Sequence, residues 1–209
     1  PYIGGSFGGR LNPYVEVLCY MMTHFLKKSC AYQYTRKEQF EGSPYAWPVY
    51  SRVKYGATKD GRVIAQDYDC VEEIGAVQGN VSYTGRLSSS GAVCVYDIDN
   101  IHMDTAAVVT NTMPVGAFRG LGCPESEFGM EVMMNVLAEK LHMSPVEIRC
   151  KNFIKNGGRN GYGELITSIG VEKCLRACAD AIDIDTPSVQ DGSVWKKGKG
   201  CAVGGKQNT

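Results

Sequence analysis

The chain has 209 residues, of which 44% are hydrophobic, enough to bury the core of one large domain or two small ones. Lysine and arginine number 22 and aspartate and glutamate number 22, so the net charge is zero and disfavours nucleic acid or an anionic bilayer as a partner. Glycine accounts for 25 residues, about 12% against roughly 7% in an average protein, which indicates many tight turns or close backbone approaches.

The cysteines indicate a reducing compartment. There are nine of them, scattered through apolar stretches without a CxxC pair, and with only three histidines they form no zinc or iron–sulfur ligand pattern. The most apolar stretch, residues 15–26, includes Glu16 and His24 and is too short to cross a membrane. We therefore expect reduced thiols, a cytoplasmic protein and no membrane association.

The first half of the chain is predicted to be one helix followed mainly by strands. Asn12 and Pro13 supply an N-cap and a first-turn proline, and an apolar stripe follows them, so a helix is predicted over residues 13–28. The sequence Lys59-Asp60-Gly61 is typical of a hairpin turn. Alternating or β-branched runs predict strands at residues 30–36, 50–57, 62–74, 93–98 and 106–112.

The second half is predicted to be helical. Pro124 can open a helix with a broad apolar face, made by Phe128, Met130, Met133, Met134, Leu137 and Leu141. Ser144-Pro145-Val146-Glu147 has the pattern of a capping box and starts a second helix that runs to about residue 155. A third helix is predicted over residues 171–182, with an inward face that includes Cys174, Leu175 and Cys178.

These patterns predict an α+β fold, a mixed β-sheet packed with helices. Residues 1–183 are interpreted as part of one domain, strand-rich over residues 30–113 and helical over residues 124–183. Residues 184–209 are interpreted as a connector and the first strand of a following, truncated domain.

Two glycine-rich segments, each leading into a predicted helix, are the strongest candidates for a binding site. The first is Gly4-Gly5-Ser6-Phe7-Gly8-Gly9-Arg10, and the second covers residues 114–124 with Arg119 near its centre. Glycines let a backbone approach a ligand closely, and the free N–H groups of a helix start favour a phosphate or oxyanion. The first loop is not a P-loop, which needs a lysine and a hydroxyl where Arg10 and Leu11 stand.

Each segment also has a purely structural interpretation. The first loop could be a tight turn without a ligand, and Arg119 could form a buried ion pair with Glu125 or Glu127. A third segment, residues 34–40, has mixed charges and is typical of a solvated turn after a strand.

The order of these segments resembles the molybdopterin-binding large subunit of the molybdenum hydroxylases, the family of xanthine dehydrogenase, aldehyde oxidase and carbon monoxide dehydrogenase. That family has a glycine loop, an early glutamate, a TREEEF-like segment, a hairpin turn, an AFRGFG-like loop and a DP-type segment with later arginine and asparagine. The counterparts here are residues 4–10, Glu16, residues 35–40, Asp60-Gly61, residues 117–125 and residues 144–152. Six counterparts in the family's order identify the chain as an internal fragment of such a subunit, with the xanthine dehydrogenase type of cofactor-binding domain.

The resemblance implies an oxidoreductase that uses a molybdenum–molybdopterin cofactor, as such or as its cytosine dinucleotide. Gly5, Phe7, Gly8, Arg119 and Gly120 would contact the cofactor, and no residue of the chain would bind the metal directly. The catalytic glutamate of the family would lie beyond residue 209, so the chain alone is expected to be inactive. A [2Fe–2S] centre and FAD would reside on partner subunits or domains of a hetero-oligomer.

Departures from the family pattern narrow the expected substrate. Leu11 replaces the glutamate that holds a purine in xanthine-type enzymes, and Leu121 replaces a phenylalanine that stacks on aromatic substrates. Gly120 stands where the carbon monoxide enzymes need a copper-binding cysteine. A pocket bordered by Leu11 and Leu121 favours an aldehyde or an N-heteroaromatic carbon, hydroxylated with oxygen from water.

Three alternatives stay open at this point. The first is a reductase of the same family or an enzyme like carbon monoxide dehydrogenase. The second is a non-catalytic binding or assembly module with the same fold. The third is a nucleotide-phosphate binder, suggested only by the first loop and the helix start that follows it.

Overall fold

The sheet and the helices of the protein are seen in a computed structural model, which describes residues 2, 4–11, 13–77, 84–190, 192 and 194–206. Within these residues the strands are β1 (Val49–Ala57), β2 (Val63–Glu73) and β3 (Asn100–Val108). The helices are α1 (Val15–Leu26), α2 (Arg36–Gly42), α3 (Thr84–Gly91), α4 (Cys123–Leu141), α5 (Pro145–Asn152) and α6 (Val171–Ile182). The sheet has the order β1-β2-β3, with β2 antiparallel to β1 and parallel to β3. A mixed sheet packed with helices is therefore confirmed.

The hairpin between β1 and β2 turns at the predicted residues. Gly61 has a φ of +89°, and its N–H donates to the Thr58 carbonyl at 3.0 Å. The Lys151 ammonium of α5 donates to the Asp60 carboxylate at 2.8 Å and lowers the pKa of Asp60 to about 2. The tip of the hairpin is thus tied to the helical half of the chain.

Helix α3 was not predicted. A parallel pair such as β2 and β3 needs a crossover connection, and α3 lies in this crossover and packs against α4. Its sequence ends Ser88-Ser89-Ser90-Gly91, residue types that favour caps and turns. The buried Ser88 hydroxyl donates to the Glu72 carboxylate of β2. Tertiary packing, and not local sequence preference, stabilises this helix.

The strand predicted at residues 30–36 is wrong, because Thr35 is the N-cap of α2. The Thr35 hydroxyl accepts the Glu38 N–H at 3.2 Å, and the Glu38 carboxylate accepts the Thr35 N–H at 2.8 Å. The Thr35 hydroxyl also donates to the Glu38 carboxylate at 2.8 Å, and the bonds from the Thr35 N–H and the Thr35 hydroxyl lower the pKa of Glu38, the backbone bond most. A complete capping box outweighs the alternation of aromatic residues that suggested a strand.

Two further strand predictions need correction. Residues 93–98 form an irregular, mostly buried segment, joined to the chain after α5 by a single β-bridge between Tyr96 and Phe153. The strand predicted at residues 106–112 begins earlier, at Asn100, and ends at Val108, because its residues pair with β2 from Ala65 to Glu73.

The helices of the second half are confirmed, but their inward faces differ from the prediction. In α4, Met130 and Met134 are buried as expected, whereas Phe128 is 73% exposed and the buried face includes Glu131. In α6 the buried residues include Leu175 and Ala179, whereas both cysteines, Cys174 and Cys178, are exposed.

Only half of the capping box predicted for α5 forms. The Ser144 hydroxyl accepts the Val146 N–H at 3.2 Å, but the Glu147 carboxylate bonds to Arg176 of α6 at 2.6 Å instead of the helix backbone. The helix ends at Asn152, before the predicted limit near residue 155.

Residues 200–206 belong to no strand, although the sequence there begins like one. The rest of that predicted strand, residues 207–209, lies outside the described residues. The division of the chain into a domain, a connector and a following domain stays a prediction.

Helix α1 carries its apolar residues on the surface. It begins at Val15, after Pro13, and Asn12, the predicted N-cap, lies outside the described residues. It contains no buried residue, and its exposed apolar side chains are Val17, Leu18, Met21, Phe25 and Leu26. No helix in the described part of the chain is long and apolar enough to span a bilayer.

A buried ion pair joins α4 to α5. Arg149 has no exposed surface, and its Nε donates to Oε2 of the buried Glu131 at 2.7 Å. The same guanidinium donates to the Pro145 carbonyl and the Asn135 side chain, each at 2.8 Å, and the Tyr96 hydroxyl donates to Oε1 of Glu131. Every polar group in this network therefore has a partner.

We predict that Arg149→Met lowers the free energy of unfolding by about 3–5 kcal/mol, because Glu131 would be left as an uncompensated buried charge. Urea denaturation measures the change. Arg176→Met is the matched control, since Arg176 pairs with Glu147 and Glu172 at the surface and should cost about 1 kcal/mol or less. Equal effects of the two substitutions would contradict this account of the network.

Candidate functional site

The first glycine loop forms two consecutive turns before α1. The Ser6 carbonyl accepts the Gly9 N–H at 2.9 Å, and the Gly8 carbonyl accepts the Leu11 N–H at 3.1 Å. Phe7 has a φ angle of +53° and Gly8 has one of +106°. A positive φ is uncommon for a residue other than glycine, as Phe7 is. The loop therefore holds a backbone shape that most sequences avoid.

The second glycine loop has three successive residues with positive φ. These are Gly120 at +110°, Leu121 at +49° and Gly122 at +88°, directly before α4. A Cβ on Gly122 would lie 2.7 Å from the Ser88 hydroxyl and 3.1 Å from the ring of Trp47. The loop is thus seated closely on α3 and on the segment before β1, and glycine is required at this position.

The two loops touch each other through their backbones. A Cβ on Gly8 would lie only 2.0 Å from the carbonyl oxygen of Ala117 and 2.5 Å from its carbonyl carbon. No side chain fits there, so the absence of one at Gly8 is what allows the first loop to reach the second. The structure brings together the two segments that the sequence singled out.

The joined loops present hydrogen-bond donors that the protein itself does not use. Among the described residues, no atom accepts the backbone N–H of Phe7, Gly8, Arg119 or Gly120. Arg119 is exposed and forms no ion pair with any described residue, so the predicted alternative of a buried pair with Glu125 or Glu127 is wrong.

Electrostatically, this surface suits an anion. Residues 4–11 and 114–122 contain two arginines and no aspartate or glutamate. Arg10 lies 3.9 Å from Glu16 of α1, which leaves Arg119 as the arginine of the loops without an acidic partner in the described chain. Free N–H groups beside an unpaired guanidinium can bind phosphate or other oxyanions.

The other predicted site residues have different environments. Phe7 is 62% exposed, and its ring lies over Gly5, where a Cβ would be 2.9 Å from it. Leu11 is exposed, whereas Leu121 is half-buried against a small core formed by Trp47, Ile74 and Val115. The roles of all these residues toward a cofactor or substrate stay predictions.

Cys123, directly after the second loop, is a structural cysteine. It is buried, and burial raises the pKa of its thiol. Its Sγ lies 3.5 Å from the Ser90 hydroxyl of α3. A protonated, buried thiol is a poor ligand for a metal ion.

One cluster of potential metal ligands occurs among the described residues, on the open face of the sheet. Asp67, Asp69 and His102 offer ligand atoms within 4.8 Å of one another. Lys54 donates to Asp67 at 2.6 Å, and Arg52 is paired with Asp69. Cations of the protein therefore already neutralise these carboxylates.

The residues that pack beneath the second loop were not predicted from the sequence. Gly116 packs so closely on Pro44 that a Cβ would lie 2.4 Å from that ring, and its N–H donates to the Tyr45 carbonyl at 3.0 Å. Trp47 is buried under the second loop. The capping box at Thr35 was visible in the sequence, but no local pattern marks the segment after α2 as a support.

Comparison with known proteins places the chain in a family. Residues 1–153 match the family model of the molybdopterin cofactor-binding domain. The chain belongs to this family. The predicted resemblance to the molybdenum hydroxylases is thereby confirmed, and both glycine loops lie within the matched residues.

Two relatives of known name support the assignment of the chain to the molybdopterin cofactor-binding family. It is 33% identical over 186 residues to the nicotinate dehydrogenase large molybdopterin subunit of Eubacterium barkeri, covering 87% of the chain and 43% of that protein. It is 31% identical over 216 residues to the aldehyde oxidoreductase of Megalodesulfovibrio gigas, covering 97% of the chain and 22% of that protein. The chain thus spans less than half the length of these relatives.

A solved structure shares the fold of this molybdopterin-binding chain. The aldehyde oxidoreductase from Desulfovibrio gigas superposes with a TM-score of 0.74 at 30% identity, over 86% of this chain and 20% of that one. The α+β arrangement described above is therefore that of a molybdenum-cofactor-binding domain.

We predict that Gly8→Ala separates the two loops, because the new Cβ cannot occupy the space beside the Ala117 carbonyl. The substitution should destabilise the contact between the loops by at least about 1–2 kcal/mol. Because separated loops are more accessible to protease, tryptic cleavage after Arg10 and Arg119 should become roughly 5- to 30-fold faster. Gly4→Ala is the control, since nothing lies within 4 Å of a Cβ there. Unchanged cleavage in Gly8→Ala would show that the loops do not depend on this contact.

Proposed function

We propose that the two glycine loops hold a molybdenum–molybdopterin cofactor, with the molybdopterin as such or as its cytosine dinucleotide. Gly5, Phe7 and Gly8 contact it from the first loop, and Arg119 and Gly120 from the second. The observation that carries the proposal is the backbone contact between Gly8 and Ala117, because it joins the unused donors of both loops into one surface.

The chemistry of the cofactor fits these residues. Phosphate, pterin and oxo groups are hydrogen-bond acceptors, and the joined loops offer N–H donors on two segments that contain no aspartate or glutamate of their own. Glycines at positions of positive φ keep side chains out of the way, so the ligand can approach the backbone closely.

The proposed activity of the complete protein is oxidation of an aldehyde or an N-heteroaromatic carbon, with oxygen derived from water. When bound, the cofactor supplies two-electron redox chemistry that no protein side chain offers. The loops of this chain orient the cofactor through backbone donors and Arg119, while the exposed rings of Phe7 and Phe118 exclude water from its surroundings. The names of the two relatives, nicotinate dehydrogenase and aldehyde oxidoreductase, fall within these two substrate classes.

Leu11 and Leu121 are proposed to border the substrate pocket. Both are apolar and belong to the two loops, so they favour a small or apolar substrate over a purine. The half-burial of Leu121 against the Trp47 core limits its movement and lets it act as a fixed wall.

Electron transfer is proposed to use other chains or domains, which carry a [2Fe–2S] centre and FAD in a hetero-oligomeric, cytoplasmic assembly. The described part of this chain has nine free cysteines and no cluster of them with metal-site geometry. The apolar face of α1 is proposed to be covered by other parts of the large subunit.

We predict that the full-length protein, purified from a host that makes the cofactor, contains molybdenum and pterin, and that Arg119→Ala weakens cofactor binding about 10- to 100-fold by removing charged hydrogen bonds. Metal analysis and the fluorescence of the oxidised pterin measure both. Arg36→Ala is the control, since within the described part of the chain the Arg36 guanidinium bonds only to the Gln39 side chain, on the surface of α2. A folded wild-type protein without pterin would refute the proposal.

We predict turnover of an aldehyde or an N-heteroaromatic compound by the full-length protein, with oxygen from labelled water in the product. The 209-residue chain mixed with cofactor and substrate should form no product, because the catalytic glutamate is expected beyond residue 209. Turnover by the chain alone would overturn that expectation. Pterin binding without turnover in the full-length protein would favour a non-catalytic module.

A further inference from the structure

The second glycine loop rests at its end on the side chain of Trp47, two residues before β1. Trp47 is 3% exposed, and a Cβ on Gly122 would lie 3.1 Å from Cζ2 of its indole ring. Leu121 packs against the small core that Trp47 forms with Ile74 and Val115. Two of the three successive residues with positive φ therefore contact the indole or its core.

The start of the loop is held by the same stretch of chain. The Gly116 N–H donates to the Tyr45 carbonyl at 3.0 Å, two residues before the indole. Between these two supports the loop closes a turn, in which the Leu121 N–H donates to the Phe118 carbonyl at 2.8 Å. Arg119 lies inside this turn, so its orientation depends on how the two ends of the loop are held.

The part of Trp47 that reaches the loop is specific to tryptophan. Cζ2 belongs to the outer ring of the indole, which phenylalanine lacks. Nε1 is bonded to the same ring carbon as Cζ2, so the N–H lies on the edge of the indole nearest Gly122.

The indole N–H is not explained by the stability of the core. It is buried and has no hydrogen-bond partner among the described residues. A buried donor without a partner destabilises the folded state, so a purely apolar side chain would fill this core more favourably. What the indole adds is its outer ring beneath Gly122.

We propose that Trp47 is a positioning residue of the cofactor site. Its outer ring fixes Leu121 and Gly122 from below. Through them it sets the direction of the donors at Arg119 and Gly120. The inference rests on the proposed function, because these donors are the ones proposed to contact the cofactor.

The size of the effect follows from the population of the correct loop conformation. The apparent affinity for a ligand falls in proportion to the fraction of protein in the binding-competent conformation. A loop that is out of position about nine-tenths of the time therefore binds about tenfold more weakly. The same loop is open to protease for most of the time, so cleavage within it becomes faster.

Trp47→Phe tests the role of the outer ring, because it keeps one ring in the core and removes the atoms beneath Gly122. In the full-length protein, cofactor affinity should fall about tenfold, measured as the release of pterin on dilution. In the same protein from a host that does not make the cofactor, tryptic cleavage after Arg119 should become at least about tenfold faster.

Ile74→Ala is the matched control. Ile74 belongs to the same core as Trp47, and its truncation lowers the free energy of unfolding, measured by urea denaturation, without removing the ring beneath Gly122. Cleavage after Arg119 should stay near the wild-type rate in this variant. Equal acceleration in Ile74→Ala and Trp47→Phe would mean that Trp47 only stabilises the core, and would overturn the proposal.

A second variant separates the ring from its N–H. Trp47→3-benzothienylalanine, introduced by amber suppression, keeps the two fused rings of tryptophan and has sulfur in place of the N–H. Wild-type cleavage and wild-type pterin affinity are expected. If this variant instead behaves as Trp47→Phe, the N–H and not the ring acts on the loop, and the proposal is wrong.

The two readouts keep this inference apart from the proposed function. A wild-type protein that holds no pterin refutes the proposed function, whatever Trp47 does to the loop. Pterin in the wild type together with unchanged cleavage and pterin affinity in Trp47→Phe overturns the role of Trp47 alone.

Discussion

The backbone contact between Gly8 and Ala117 is the constraint on which the candidate site depends. It brings together two loops that are far apart in the sequence, and it exists only because Gly8 has no side chain in the space beside Ala117. Each loop alone is a short, strained turn with a few unused donors. Joined, they form one positively charged surface of N–H groups beside Arg119, and this surface gives membership of the molybdopterin-binding family a physical basis.

Helix α4 connects this surface to the rest of the molecule. Its first residue follows the second loop, its buried face holds Glu131 against Arg149, and its first turns lie against α3 and the chain after residue 200. A single helix therefore links the second glycine loop, the helical half of the chain and the residues after 200. Polar contacts also hold the chain after residue 200 against α4. The carboxylates of Glu127 and Glu131 accept the N–H groups of Gly205 and Val203, as the carbonyls of a neighbouring strand would.

Local patterns predicted the elements whose stabilisation is local. Helix α6 has its predicted limits, and the turn at Gly61 forms as its sequence indicates. Prediction failed where long-range packing competes with local preference: α3 forms in the crossover between parallel strands, and residues 93–98 are mostly buried but belong to no strand of the sheet. At Thr35 the local signal was present in the sequence, and a capping box was stronger than the aromatic alternation beside it.

For the site, the sequence by itself determined the chemistry: two glycine loops, an arginine among small residues, and an order of segments that indicates a molybdenum-cofactor protein. Only the tertiary structure decided that the loops touch, that Arg119 is exposed with no acidic partner among the described residues, and that Leu121 packs on Trp47 while Leu11 faces solvent. The reason is physical. Backbone conformation and hydrogen-bonding capacity are properties of neighbouring residues, whereas proximity and burial depend on how distant segments pack.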